Sequence, residues 1–434
     1  MAKSWKVGPN WTYIDFTLQE GVKFHNGEDF TAEDVKFSLE RYLRKDLMWV
    51  YRGTLERKLD RVEIVDDYHV RLHCKEPFPE FFDLTSRFLR MLPKDYIKKV
   101  GDKKFAYQPV GTGPCKLTGY EHEQRIELET VGNHYRKTPD FKTYLQVTAT
   151  DPATRFAMLK TGEIDMGAFG GIQVKQLQDD PKLRVIMIPQ CFGRSLVMVD
   201  VAYPEPSVWK DARVRKAASL AIDREGIIKN LAYGGAERWA DFLPSYCIGH
   251  DPSVKPDPYD PERAKKLLAE AGYPNGFEFE LLTYTPVKQL GAALAANWKD
   301  VGIRAKMSVV DIGDWARRVC SQKERNKVIV IVSPWWSGGI EPAVSFLDMQ
   351  TEWCGVPIPD WFREGYNKTT RAITDKEKAE TGRELSRLLR ESGIWMLLSS
   401  VSSPLGIGSR VESYEPVVGN YHPFRFEYIK LKKK

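Results

Sequence analysis

The sequence lacks the patterns that mark several common classes of protein. None of its six cysteines forms a CxxC pair, which argues against a zinc or iron–sulfur cluster. No apolar run reaches the roughly 18 residues of a membrane span, and Met1–Trp5 lacks the basic, apolar and cleavage regions of a secretory signal. The net charge is only +6, from 65 basic and 59 acidic residues, so nucleic-acid binding is not implied.

Sequence motifs of catalysis are missing as well. The patterns GxSxG, HExxH, GxGxxG and the Walker A loop do not occur. The seven histidines are scattered, and His122-Glu123 has no partner at zinc spacing. We therefore expect no catalytic residues, no metal and no cofactor. A glycosidase pair of carboxylates would be recognisable only in space, so a hydrolase stays open at this point.

What the chain does contain is typical of a globular α/β protein of two to four domains. It has 434 residues, 42% of them hydrophobic and 29% charged. The alternation of Ile14, Phe16 and Leu18, followed by Gly21, predicts a β-hairpin over residues 14–24, and Asp66-Asp67 predicts the turn of a second one.

Helix and strand signals also recur later in the chain. Residues 277–282, 288–301 and 303–310 read as strand, helix and strand, which predicts a βαβ unit with parallel pairing. The β-branched run 328–332 predicts a strand covered on both faces. Thr374 and Glu377 form a capping box that predicts a helix through Arg390.

The segment GVKFHNGEDFTAEDVKFSLERYL, residues 21–43, is the most informative part of the chain. Asn26-Gly27 marks a tight turn, and Thr31 with Asp34 forms a capping box at the start of a helix. Its wording resembles the signature of family 5 extracytoplasmic solute-binding proteins, the peptide, nickel and opine receptors of ABC importers. Further segments resemble that family in the right order, namely 110–114, 133–139, 159–165, 211–224 and 259–274.

This resemblance implies an α/β fold of the periplasmic-binding-protein class II type, with two large lobes, a smaller extra lobe and a ligand cleft between lobes. It places residues 1–107 in a small α+β lobe II with a remnant of lobe I. Residues 108–228 and 418–434 would form the core of lobe I, and 229–417 lobe III. Met1–Trp5 is similar to a segment well downstream of the family's mature N-terminus. The family's N-terminal segment would then be absent, through trimming, a misassigned start or a natural fragment.

The resemblance also implies a function. The chain would be the substrate-binding component of an ABC importer, which captures a small solute and delivers it to a membrane permease. We expect a periplasmic or cell-surface monomer that binds no nucleic acid and is not an enzyme. The alternative within this class is an oligopeptide or nickel-chelate receptor. The alternative from another class is a carbohydrate-active hydrolase that uses a tryptophan-rich cleft.

The strongest candidate for the ligand site follows the strand 328–332. Ligands of open α/β sheets lie outside the carboxyl ends of strands, and tryptophan faces can stack on a ligand while glycines let the backbone approach it. The alternative is that both tryptophans belong to the core. The family's ligand-contacting loop lies here, which favours a site made of Trp335, Trp336, Ser337, Gly338 and Gly339.

Two departures from the family bear on the ligand. Peptide-binding members carry an Asp at the position of Gly338 for the peptide ammonium. Dipeptide receptors carry an Arg for the peptide carboxylate in the loop that here contains Tyr284 and Thr285. This loop has no Arg in the present chain. We expect Tyr284 and Thr285 to line the cleft. Burying an unpaired charge costs several kcal/mol. A sugar, an opine or another conjugate is therefore favoured over a simple dipeptide, although Lys288 in place of the Arg keeps peptides open.

A second group of candidates lies near the N-terminus. Arg87 and Arg90 stand where nickel-type members place a cleft arginine, and Trp49 stands where they use a cleft tryptophan. A guanidinium suits a ligand carboxylate. The alternative for the arginines is a solvated helix face.

Overall fold

A computed structural model describes residues 1–47, 49, 51–198, 206–231, 236–243, 245, 247–320, 330–336, 359–416 and 425–433. Within these ranges, no helix is both long enough and apolar enough to cross a membrane. No group of three or more His, Cys, Asp or Glu side chains in the same ranges is placed to hold a metal ion.

Residues 1–107 form a unit with its own core, which we call the N-terminal unit. Its four antiparallel strands lie in the order β1-β2-β4-β3. Strands and helices pack around buried residues such as Ile14, Phe30, Leu39, Leu55 and Leu72. The elements are β1 (Ala2–Val7), β2 (Tyr13–Leu18), α1 (Ala32–Tyr42), α2 (Arg52–Lys58), β3 (Leu59–Asp66), β4 (His69–Cys74), α3 (Phe81–Arg87) and α4 (Lys94–Tyr107).

Of three features that local sequence patterns predict in this unit, the structure confirms two and contradicts one. The capping box before α1 is present, since the Thr31 backbone N–H donates to Asp34 at 2.9 Å. The hairpin around Asp66-Asp67 is confirmed as β3–β4. The hairpin predicted over residues 14–24 is wrong, because β2 pairs with β1 and β4, and Val22 and Phe24 are core residues outside the named strands.

A small antiparallel sheet follows the N-terminal unit. It consists of β5 (Cys115–Glu121), β6 (Arg125–Thr130) and β7 (Thr143–Val147) in sequence order. The facing pairs Cys115–Thr130, Leu117–Leu128 and Tyr120–Ile126 share one face of this sheet. The other face carries charged residues such as Lys116 and Glu129, whose side chains form an exposed ion pair at 3.0 Å. The sheet is thus amphipathic.

The largest sheet has six strands in the order β11-β10-β12-β9-β13-β8. The predicted βαβ unit is confirmed, since β10 and β11 pair in parallel along their whole length and the helix Lys288–Lys299 connects them. β10 also pairs in parallel with β12, whereas β9, β13 and β8 add antiparallel strands. The strands are β8 (Met166–Ala168), β9 (Arg184–Met198), β10 (Phe277–Tyr284), β11 (Ile303–Val310), β12 (Val330–Trp336) and β13 (Trp395–Ile407).

Helices cover this sheet, and together they form what we call the central unit. Its main core includes Trp209, Leu281, Trp298 and Phe362, all fully buried. The capping box at Thr374 and Glu377 is confirmed at the start of α13. The helices are α5 (Pro152–Thr161), α6 (Ile172–Asp179), α7 (Ala212–Leu220), α8 (Arg224–Leu231), α9 (Pro261–Glu270), α10 (Lys288–Lys299), α11 (Ile312–Cys320), α12 (Asp360–Arg371) and α13 (Asp375–Ser392).

Strands β9 and β13 form an unusually long antiparallel ribbon. One end of it contributes Leu196 and Met396 to the main core of the central unit. The other end contributes Ile188 and Leu405 to a second, smaller core. The pairing register shifts twice in between, at Leu397/Ser399 and Ser400/Ser402.

The end of the chain returns to the smaller core. Strands β14 (Val411–Tyr414) and β15 (Ile429–Leu431) pair antiparallel, and Ile429 packs with Ile188 while Phe141 and Met166 border the cluster. The boundaries predicted for the three lobes remain a prediction.

Candidate functional site

The strand that leads to the predicted site is longer than its sequence indicates. Residues 333–336 were expected to follow the strand, but β12 extends through Trp336. Antiparallel pairing with β9 continues to the end, with Trp335 opposite Gly193 and Trp336 opposite Phe192. Both tryptophans therefore end a strand instead of beginning a loop. Ser337, Gly338 and Gly339 lie outside the described residues.

Tyr284 and Thr285 lie at the same edge of the sheet as the end of β12. β10 and β12 run parallel, with Leu281 beside Val330 and Leu282 beside Ile331, so their carboxyl ends point the same way. Tyr284 ends β10 and is buried, whereas Thr285 is exposed and begins the short turn before α10. The structure thus brings together two of the predicted groups where ligands of such sheets bind.

Two buried polar atoms at this edge have no hydrogen-bond partner among the described residues. They are the hydroxyl of Thr283, which is fully buried, and the indole Nε1 of Trp315, which is 9% exposed. The Trp315 ring lies 5.4 Å from that of Tyr284. An unsatisfied buried polar group costs about 1–3 kcal/mol, so this edge carries two polar atoms that the described part of the chain does not pair. Sequence reasoning missed both residues.

The second predicted group lies in the N-terminal unit. The Trp49 ring lies 4.6 Å from that of Tyr42, and the Tyr42 hydroxyl accepts a hydrogen bond from the backbone N–H of Arg90 at 3.0 Å. Arg90 is exposed, and Arg87 is the last residue of α3. The structure therefore places Trp49 and the backbone of Arg90 in contact with the same tyrosine. The predicted site residues divide between two units that have separate cores.

A cavity of about 1170 Å³ lies between the N-terminal unit and the small sheet β5–β7. Apolar side chains such as Leu39, Leu117 and Leu128 make up much of its lining. Its charged lining residues are Arg90, Arg136, Arg425 and Glu427, and Arg136 pairs with Glu427 at 3.3 Å. The alternating apolar residues of β5 and β6 are a sequence signal that could have identified this face.

Two histidines bind the segment that leaves the N-terminal unit for β5. His25 accepts from the Gly111 N–H through Nδ1 at 3.4 Å and donates from Nε2 to the Gly113 carbonyl at 2.9 Å. His134 Nε2 donates to the Thr112 carbonyl at 2.9 Å. Because His25 uses one nitrogen as donor and the other as acceptor, the arrangement requires its neutral form. Burial lowers the pKa of His25, and the neighbouring charges of His134 and Lys116 lower it further.

We expect the free energy of unfolding to fall as the pH drops below about 6.5, the ordinary pKa of a histidine. The folded pKa of His25 is lower than the unfolded one, so the unfolded chain takes up the proton first. The stabilisation is complete above the unfolded pKa and is lost as the pH falls towards the folded pKa. Its size is about 1.4 kcal/mol for each unit between the two values.

Urea unfolding of the wild type and of His25→Gln at pH 7.5 and 5.5 tests this expectation. The variant should show the weaker pH dependence, whereas His122→Gln, an exposed control, should match the wild type. Equal pH dependence in all three proteins would contradict the role of His25.

Comparison with known proteins extends these observations. The family model of bacterial extracellular solute-binding proteins, family 5 Middle, matches residues 1–354. Haem-binding protein A of Haemophilus influenzae is 27% identical over 349 residues, which cover 73% of this chain and 63% of that protein. The chain therefore spans less than two thirds of the length of that relative. Glutathione-binding protein GsiB of Salmonella typhi is 26% identical, and the match covers 90% of this chain and 77% of GsiB.

The fold has close counterparts among solved structures. The periplasmic binding protein DppA of Helicobacter pylori, solved with the peptide STSA, superposes with a TM-score of 0.86 at 25% identity. The superposition covers 100% of this chain and 89% of DppA. The predicted α/β fold of the periplasmic-binding-protein type is confirmed by this likeness. The family match over most of the sequence and the shared fold lead to one conclusion: the chain belongs to the family 5 bacterial extracellular solute-binding proteins.

Proposed function

We propose that this protein is the substrate-binding component of an ABC importer, which captures a solute between the N-terminal and central units and delivers it to a membrane permease. The observation that carries the proposal is the division of the candidate residues between two units. Trp49 and Arg90 lie on one, and the ends of β10 and β12 lie on the other. Solute-binding proteins of this kind close two lobes around a ligand by a hinge motion. Membership of a family of bacterial extracellular solute-binding proteins supports a location outside the cytoplasmic membrane.

The charges of the described candidate residues support a proposal for the ligand class. The turn Thr285–Val287 contains no arginine, and Lys288 is exposed at the start of α10. A zwitterionic dipeptide would need a partner for each end, because a buried unpaired charge is costly. We therefore favour a sugar, an opine or a conjugate. Its contacts would be aromatic faces and the two polar atoms, of Thr283 and Trp315, that have no partner among the described residues. The name of the GsiB relative, a glutathione-binding protein, supports a conjugate.

Native mass spectrometry of the protein as purified tests the proposal, because a retained solute would be detected directly. Calorimetric titration with that solute, and with glutathione, should then give saturable binding without product formation. Steady turnover of a glycoside by the purified protein would instead support the alternative, a carbohydrate-active hydrolase.

We expect Trp335→Ala or Trp336→Ala to weaken binding of that solute by about 1–3 kcal/mol, the usual contribution of a buried aromatic contact. Trp5→Ala is the matched control, because Trp5 is 59% exposed on β1 of the N-terminal unit. Calorimetry gives the affinity, and circular dichroism shows whether the fold is retained. If both β12 variants bound the solute with wild-type affinity, the assignment of these tryptophans to the site would be wrong.

We expect simple dipeptides to bind more weakly than about 1 mM, which corresponds to roughly −4 kcal/mol. The reason is the missing pair of counter-charges at Gly338 and in the turn before α10. Titration with a mixed dipeptide library is the measurement. Micromolar affinity for several members would contradict this and favour the peptide-receptor alternative.

A further inference from the structure

Lys58 is a buried cation at the boundary between the N-terminal and central units. It ends α2, and its side chain is only 3% exposed. Within its own unit the ammonium donates to the Pro77 carbonyl at 2.9 Å and lies 3.2 Å from Glu80 and 3.6 Å from Glu76. A buried ammonium is costly unless several oxygens surround it. Lys58 meets this condition, because these oxygens surround its ammonium group.

One of the oxygens around Lys58 belongs to the other unit. The ammonium donates to the Thr370 carbonyl at 3.3 Å, in the last turn of α12. Leu55 and Leu59, next to Lys58, belong to the core of the N-terminal unit. Phe362 and Tyr366 of α12 belong to the core of the central unit. The hydrogen bond therefore joins two bodies that are packed independently.

The helix end explains why a cation suits this position. The last four carbonyls of a helix have no partner inside the helix, and the helix dipole makes this end negative. Lys58 satisfies one of these carbonyls and places its charge at the favourable end of α12. When the two units separate, the ammonium loses this acceptor and the carbonyl must find water instead.

A second contact crosses the same boundary beside the first. Arg371, the last residue of α12, lies 3.4 Å from Glu76, which is also an ion-pair partner of Lys58. Glu76 thus links a cation of each unit. The Arg371 side chain is 62% exposed, so this contact is the weaker of the two.

We propose that Lys58, with Glu76 and Arg371, is an electrostatic latch that holds the N-terminal unit against the end of α12 and so sets the equilibrium between joined and separated arrangements. Lys58 is a positioning residue and is not assigned a contact with solute. The proposal goes beyond the binding function, because it concerns the protein without ligand and holds for any solute.

Small-angle X-ray scattering of the ligand-free 434-residue chain tests the latch. We expect Lys58→Met and Glu76→Gln to shift the equilibrium towards the separated arrangement on the order of tenfold, within the usual range of coupling between sites. This shift would appear as a larger radius of gyration. Arg371→Gln should give a smaller increase. Arg387→Gln is the matched control, since Arg387 is an exposed arginine of α13 that pairs with Glu391 inside the central unit.

A purely local role for Lys58 predicts a different result. Lys58→Met would then lower the melting temperature of the N-terminal unit, while Lys58→Met, Glu76→Gln and Arg371→Gln would all scatter like the wild type. That outcome would overturn the proposal. If Lys58→Met fails to fold, the other two variants decide: expansion in both supports the latch, and wild-type scattering in both overturns it.

Discussion

Replacing Trp298 with alanine is expected to lower the free energy of unfolding by about 3–5 kcal/mol, the usual cost of removing a buried aromatic side chain. Trp298 lies on α10 and is fully buried. Its ring packs 5.4 Å from Phe279 and 6.4 Å from Trp209. Its indole N–H donates to the Ala218 carbonyl at 2.9 Å, so the substitution leaves both a cavity and an unpaired buried carbonyl.

Urea unfolding of Trp298→Ala, measured by far-UV circular dichroism, gives this free energy. Trp298→Phe retains most of the ring and should be less destabilising, because it mainly removes the hydrogen bond. The exposed Trp5→Ala should stay within about 0.5 kcal/mol of the wild type. A loss below about 1 kcal/mol in Trp298→Ala would show that this core repacks around the gap.

The second large effect is expected at Arg224, which begins α8 and is buried. Its guanidinium donates to the Leu397 carbonyl at 3.0 Å, the Ser219 carbonyl at 2.9 Å and the Ser219 hydroxyl at 2.8 Å. Burial lowers the pKa of Arg224 to about 10, so the group is still charged at neutral pH. It links the junction of α7 and α8 to β13.

We expect Arg224→Ala to cost about 3–5 kcal/mol, because it leaves the buried carbonyls of Ser219 and Leu397 without their donor, at about 1–3 kcal/mol each, and opens a cavity. Arg304→Ala is a matched control, because Arg304 also donates to two backbone carbonyls, those of Asn275 and Gly302, but its side chain is half exposed. The control should lose no more than about 1 kcal/mol. Similar losses in the two variants would mean that burial does not determine the cost.

Much of the fold could be predicted where the determining interactions are local. The capping boxes at Thr31 and Thr374 and the turn at Asp66-Asp67 involve neighbours within three or four residues. The βαβ unit around α10 follows from a pattern of about 30 residues. The family resemblance, carried by ordered segments over most of the chain, is confirmed by the family match to residues 1–354.

The errors and omissions concern partners that are distant in sequence. The sequence underestimates the extent of β12 because the β-branched run ends at Val332. Pairing with β9, some 140 residues earlier, keeps residues 333–336 in the strand. Lys58 and Thr370 are 312 residues apart, and no local pattern announces their contact. Arg90 and Trp49 are brought together by Tyr42, a contact that only the folded chain reveals.

The ribbon of β9 and β13 has a mechanical consequence. Its two strands carry residues of the main core at one end and of the smaller core at the other, so any relative tilt of these cores must bend the ribbon. A regularly paired ribbon resists such bending, and bulges are where strands bend most readily. The two register shifts fall between Leu397 and Ser402, so we expect β13 to bend within this short stretch. The ribbon would then bend at this stretch and stay straight on either side of it.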